Sequence, residues 1–213
     1  VKNVKAWLFD LDGTLVDSTE LIMDSFRHAM ITVKGEVVDP HIFNQTIGRP
    51  LREQFALYTK DAPEVALLAE TYSDYYRNHR FKSTLFDGTK PLLEFLTTRG
   101  IPMVVVTSKS HIGAENSTKA HDIKKYFTRL IGSDDVTHGK PDPEPVQLAL
   151  ETLKVEASEA IFIGDSPHDM QAGAAAHVFS VGVTWGPYSR EKLIDAGASY
   201  IVDSFAELQA LVE

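Results

Sequence analysis

Ala6-Trp7-Leu8-Phe9-Asp10-Leu11-Asp12-Gly13-Thr14-Leu15 is the stretch whose reading decides the fold. Four apolar residues run without alternation into two carboxylates two positions apart, and a Gly-Thr turn follows. A continuous apolar run is what a strand covered on both faces requires. The carboxylates then stand at the strand's C-terminal end, where open α/β sheets bind their ligands. A surface Asp-Gly turn would need none of the preceding burial. A calcium loop fits poorly, because that motif wants Gly sixth and Glu twelfth; here Gly is fourth and the twelfth residue is Leu21.

Other short apolar runs repeat the strand pattern: Ile101-Pro102-Met103-Val104-Val105-Val106, Ala160-Ile161-Phe162-Ile163 and Val178-Phe179-Ser180-Val181-Gly182-Val183. Arg129-Leu130-Ile131-Gly132 is weaker, and Tyr200-Ile201-Val202 is a short final strand. Helical stripes lie between them. Leu92, Leu93, Phe95 and Leu96 end at Arg99-Gly100, a basic last turn with a glycine stop. Val146, Leu148, Ala149, Leu150 and Leu153 form a second stripe, and Phe205, Leu208, Leu211 and Val212 a third with Ser204 as N-cap. The region 18–82 breaks the rhythm and reads as helices at 21–30, 40–45, 51–58 and 63–79. The expectation is an α/β fold: a Rossmann-like parallel-sheet core, residues 1–15 and 84–213, with a small all-helical domain, residues 16–83, inserted after the first strand.

The chain has 213 residues, 21 basic and 30 acidic, for a formal charge of −9. It has no cysteine, which excludes disulfides, thiolate metal sites and cysteine nucleophiles. The acidic balance argues against nucleic acid and anionic membrane as partners. No apolar stretch approaches the roughly 18 residues of a membrane span. The first residues reach Asp10 too soon for a secretory signal, so a cytoplasmic protein is expected.

Three further stretches carry chemistry. In Ile161-Phe162-Ile163-Gly164-Asp165-Ser166-Pro167-His168-Asp169 a second buried strand ends in carboxylates, and Asp165 and Asp169 face one site if a helix starts between them. Carboxylates gathered from two strands of one parallel sheet repel unless a cation joins them. Oxygen-only donors favour a hard ion, magnesium above all. Val106-Thr107-Ser108-Lys109 places hydroxyls at a strand end, a phosphate cradle if a helix begins there. In Gly139-Lys140-Pro141-Asp142-Pro143 the prolines stiffen a loop that can aim Lys140 inward.

These four elements, in this order and spacing, resemble the haloacid dehalogenase (HAD) superfamily of phosphotransferases, over nearly the whole chain. The helical block resembles the cap of the phosphoglycolate phosphatase-like branch. The stretches from Asp134 to Gln147 and from Gly164 to Asp169 look closer still to HAD-type inorganic pyrophosphatases. The resemblance implies a magnesium-dependent phosphatase acting on a small phosphorylated metabolite or pyrophosphate through an aspartyl-phosphate. It assigns Asp10 as nucleophile, Asp12 as general acid and base with Thr14 orienting it, Thr107 and Lys140 to the transferring phosphoryl group, and Gly13 to substrate binding. Asp10, the Asp12 backbone carbonyl, Asp165 and the supporting Asp169 would hold the metal. Many relatives carry Asn where this chain has Ser108; its backbone N–H can serve substrate equally.

A phosphosugar mutase is the alternative, with a 2-haloacid dehalogenase or a noncatalytic binding module further off. A dehalogenase needs no second carboxylate, and a binding module has no reason to keep Asp10, Asp12 and Lys140. Among the basic residues of the helical block, Gly48-Arg49-Pro50 best fits substrate contact; Arg52, Lys60, Arg77, Arg80 and Lys82 read as solvated faces. His168 reads as a loop histidine in solvent. Hinges are expected at 15–18 and 82–86, and the assembly as a monomer or homodimer.

Overall fold

The computed structural model describes residues 4–39, 43 and 46–211. Among them, six parallel strands form one sheet in the order β5-β4-β1-β6-β7-β8. These are β1 (Ala6–Phe9), β4 (Met103–Val106), β5 (Arg129–Ile131), β6 (Ala160–Gly164), β7 (Phe179–Val183) and β8 (Tyr200–Val202). All four residues of β1 are fully buried. Trp7 and Phe9 face one apolar layer with Leu92, Leu96 and Val105, while Ala6 and Leu8 face the other with Val146, Leu150 and Phe162. That two-sided burial is why the strand sequences are continuous rather than alternating.

β1 pairs with β4 on one side (Phe9↔Val105) and β6 on the other (Phe9↔Ile163). The winding reverses at β1, and such a switch point opens a crevice at the strand ends. Helices α4 (Thr89–Thr98), α5 (His111–Ala120), α6 (Glu144–Leu153), α7 (Pro167–Ala175), α8 (Arg190–Asp195) and α9 (Phe205–Ala210) supply the covering layers. The sequence reading expected a helix start after Lys109 but gave α5 no extent, and it missed α8. HIGAENSTKA carries almost no apolar stripe, and α8 is only REKLID.

The helical block contains α1 (Thr19–Lys34), α2 (Leu51–Phe55) and α3 (Ala62–Asn78). It has its own apolar centre, where the Phe26 ring stacks on Phe43 at 4.0 Å and on Phe55 at 4.8 Å. The helix expected at 40–45 and the end of the last helix at Val212 fall largely outside the described residues. The two connections expected as hinges are strands. β2 (Val16–Asp17) and β3 (Thr84–Leu85) pair antiparallel, Val16↔Leu85 and Asp17↔Thr84. Among the described residues no helix is long and apolar enough to cross a membrane.

Candidate active site

Asp10 and Asp165 leave the same sheet edge because β1 and β6 end side by side. Pairing continues one residue past β1: the Asp10 N–H donates to the Ile163 carbonyl at 2.8 Å, which fixes the Asp10 backbone. The turn that follows is built around Asp165. Gly13 has φ +83°, and a Cβ there would stand 2.4 Å from Asp165 Oδ2. Only glycine meets both demands.

The reversal at Gly13 brings Thr14 back to the sheet edge, where its hydroxyl donates to Asp165 Oδ1 at 2.8 Å. This corrects the expectation that Thr14 orients Asp12. The Thr14 carbonyl is held in turn by the Trp185 indole N–H at 3.0 Å.

Asp169 lies in the first turn of α7, capped by Ser166. Its Oδ2 accepts from the Ser166 N–H (3.0 Å) and hydroxyl (2.6 Å), and its Oδ1 from Lys140 Nζ at 2.5 Å. Lys140 Nζ also donates to Asp10 Oδ1 at 2.9 Å and to the Val106 carbonyl at 3.1 Å. An ammonium has three donors, so those of Lys140 are all committed.

The electrostatics of this cluster are unbalanced. Burial pushes the Asp10 carboxyl up to about 7; Lys140 opposes the shift, and the negative charges of Asp169 and Asp12 add to it. Burial, then Asp10 and Asp169, hold Asp165 well above the usual carboxylate range, against the Thr14 hydrogen bond and Lys140. Burial works against the charge of Lys140, but Asp10 and Asp169 outweigh it and keep the ammonium above its ordinary pKa.

Asp10, Asp165 and Asp169, all buried, offer oxygens within 4.8 Å of one another. Three carboxylates face one lysine, and every donor is a hard oxygen. The group therefore fits a hard divalent cation. The Asp12 carboxylate lies outside it, leaving the Asp12 backbone carbonyl for the metal role expected of that residue.

Asp12 is held by a separate set of residues. Ser18 Oγ donates to its Oδ1 at 2.6 Å and Lys109 Nζ to its Oδ2 at 2.5 Å. Lys109 also donates to the Tyr76 hydroxyl at 3.2 Å and lies 4.3 Å from that ring's centroid. Burial disfavours the Lys109 charge, but Asp12 and the two tyrosines Tyr76 and Tyr72 outweigh it and raise its pKa. Sequence reasoning gave Ser18, Tyr76 and Lys109 no role. Lys109 directly follows the Thr107-Ser108 pair and could have been found there; Tyr76 sits on a helix with no local signal.

Thr107, buried at the end of β4, donates its N–H to the Ile131 carbonyl at 2.9 Å. Ser108 turns the other way, and its hydroxyl donates to the Gly48 carbonyl at 2.5 Å. Its side chain thus grips the helical block, which the sequence did not suggest. The neighbouring Ile47 carbonyl accepts from the Tyr188 hydroxyl at 2.8 Å. Arg49 follows, exposed on the wall of a cleft of about 950 Å³ between the sheet edge and the helices, also lined by Asp10, Asp12, Thr107 and Lys109.

Of the other basic residues, Arg77 pairs with Asp74 and Lys82 with Asp24, and Arg52 and Arg80 join the cleft wall. His168 is not a solvated loop residue. It lies in the first turn of α7 with a buried Nδ1, about 3.3 Å from where a Gly48 Cβ would stand. Burial lowers its pKa.

A family model described as haloacid dehalogenase-like hydrolase matches residues 7–183. The chain belongs to that family. The chain is similar to pyrophosphatase PpaX of Bacillus velezensis, 33% identical over 97% of this chain and 95% of that protein's length. The crystal structure of a "predicted phosphatase" from Clostridium acetobutylicum is 32% identical, covers 98% of both chains and superposes with a TM-score of 0.87. A "predicted phosphoglycolate phosphatase" from Haemophilus somnus, 24% identical and covering 100% of both chains, shares the fold at a TM-score of 0.90.

Proposed function

We propose that this hydrolase is a magnesium-dependent phosphatase that uses Asp10 as nucleophile on a small phosphomonoester or inorganic pyrophosphate. The observation that carries the reading is the division of labour between two carboxylates on one turn. Asp10 is buried among Lys140, Asp165 and Asp169, whereas Asp12, two residues on, is held apart by Ser18 and Lys109. Covalent phosphoryl transfer requires one carboxylate to attack and another to move protons. Relatives named as pyrophosphatases and phosphatases support the same reading.

Asp10 attacks phosphorus in line, and the bond from phosphorus to the leaving oxygen breaks as the Asp10–phosphorus bond forms. Asp12 gives that oxygen its proton. Asp12 then takes a proton from water as the water oxygen displaces Asp10, releasing phosphate. Lys140 holds Asp10 in place and carries positive charge beside it, and Thr107 receives the transferring phosphoryl group. Asp10, Asp165 and the Asp12 carbonyl would hold magnesium, with Asp169 supporting the shell; the ion supplies positive charge that lets a carboxylate meet an anion. The helical block 16–83 serves as a cap, with Arg49 and the Ser108 backbone reaching substrate from the cleft wall where block and core meet. Closure over the site keeps stray water from the phosphoenzyme.

The test is phosphate release from p-nitrophenyl phosphate, 2-phosphoglycolate and pyrophosphate, with magnesium and with chelator, by wild type and Asp10→Asn. Release that needs magnesium and vanishes in Asp10→Asn is expected. Wild-type-like turnover in that variant, or activity indifferent to chelator, would sink the assignment.

A further inference from the structure

The two lysines at the cleft are used differently. Lys140 is sealed in the core with three acceptors. Lys109 is 17% exposed at the cleft and spans two parts of the molecule, with Asp12 of the core turn on one side and Tyr76 of α3 in the helical block on the other. The Asp12 carboxylate is therefore tied to the cap twice, directly at one oxygen and through a core lysine at the other. Oδ1 is held by Ser18, the residue that starts α1, and Oδ2 by Lys109, whose own position is set by the Tyr76 hydroxyl and ring. From the sheet, Thr14 ties the turn to Asp165, which leaves the Asp12 carboxylate itself to Ser18 and Lys109.

We infer that Lys109 is a positioning residue that sets the Asp12 carboxyl by reference to the cap through Tyr76. The inference rests on the phosphatase reading, and specifically on Asp12 as the group that moves protons. Its consequence falls unequally on the two chemical steps. With p-nitrophenyl phosphate the leaving phenolate departs without a proton, so Asp10 can be phosphorylated whether or not Asp12 is aimed. Breaking the phosphoenzyme is different. Water must form the new P–O bond, the Asp10–phosphorus bond must break, and a water proton must pass to a correctly placed Asp12.

Lys109→Met and Tyr76→Phe separate this from a merely structural role. Rapid mixing of Lys109→Met with p-nitrophenyl phosphate and magnesium should give a burst of p-nitrophenolate near one equivalent at a rate close to wild type. A steady rate lowered roughly 10- to 100-fold should follow, part of the about 10²–10⁴-fold that general acid–base catalysis contributes. Tyr76→Phe, which keeps the ring but removes the hydroxyl, should show the same pattern with roughly a tenfold fall, as one hydrogen bond from a charged donor is lost. It carries the test alone should Lys109→Met fail to fold. Burst and steady rate falling together in Lys109→Met would overturn the inference, as would a wild-type steady rate. A Tyr76→Phe protein indistinguishable from wild type would overturn the link to the cap. Wild-type protein that releases no phosphate at all would instead refute the underlying phosphatase reading.

Discussion

Removing the Lys140 ammonium tests how the buried cluster is held together. Lys140→Met keeps a similar stem and deletes the charge, leaving Asp10 Oδ1, Asp169 Oδ1 and the Val106 carbonyl without the donors now at 2.9, 2.5 and 3.1 Å. Breaking a buried ion pair from one side costs about 3–5 kcal/mol, because the partner charge stays behind unpaired. At about 2–4 °C per kcal/mol for a chain of this size, the melting temperature should fall by roughly 6–20 °C.

The loss should also depend on pH. Asp10 stands near 7 in the folded protein, against an ordinary 3.8, even with Lys140 opposing the shift. A carboxyl with a raised folded pKa holds its proton more tightly folded than unfolded. Its contribution to stability is complete below about 3.8 and disappears as pH rises through the folded value. Without Lys140 that value climbs further, so the variant should be penalised more at pH 8 than at pH 5. Urea unfolding of both proteins in chelator, at the two pH values, measures this. A penalty under about 1 kcal/mol, or one equal at both pH values, would refute the reasoning.

Three other outcomes follow from the same geometry. Gly13→Ala would force a Cβ to 2.4 Å from Asp165 at φ +83°, so activity should fall by more than tenfold, with about 1–3 kcal/mol of stability lost, read by phosphate release and thermal melting. Magnesium must compete with protons at Asp10 and Asp165, both raised, so it should lift the melting temperature more at pH 8 than at pH 5.5; an equal lift would count against those carboxylates as ligands. Arg49→Ala should change relative kcat/KM among pyrophosphate, 2-phosphoglycolate and p-nitrophenyl phosphate by tenfold or more, and a uniform loss would remove Arg49 from substrate selection.

The sheet was legible because a strand buried on both faces writes a continuous apolar run, as in Trp7-Leu8-Phe9 and Ile161-Phe162-Ile163. The strand ends were legible too, because carboxylates directly after such runs have few other reasons to be there. The extent of helix α5 was hidden because the helix buries little more than Ala114, Ser117 and Thr118, so no stripe marks it. The true partner of Thr14 lies 151 positions away, beyond any local pattern. The same holds for Tyr76 beside Lys109, a contact that exists only after α3 has packed over the sheet edge.

The ribbon of β2 and β3 has a consequence for the architecture as a whole. The detour opens at Val16 and closes at Leu85, and those two residues stand directly opposite each other in the ribbon. Everything between is topologically a detour that begins and ends at one spot, so the parallel sheet would close without it. A different structure could be grafted onto the same pair of strands, exchanging the roof of the cleft while leaving Asp10, Lys140 and Asp165 in register.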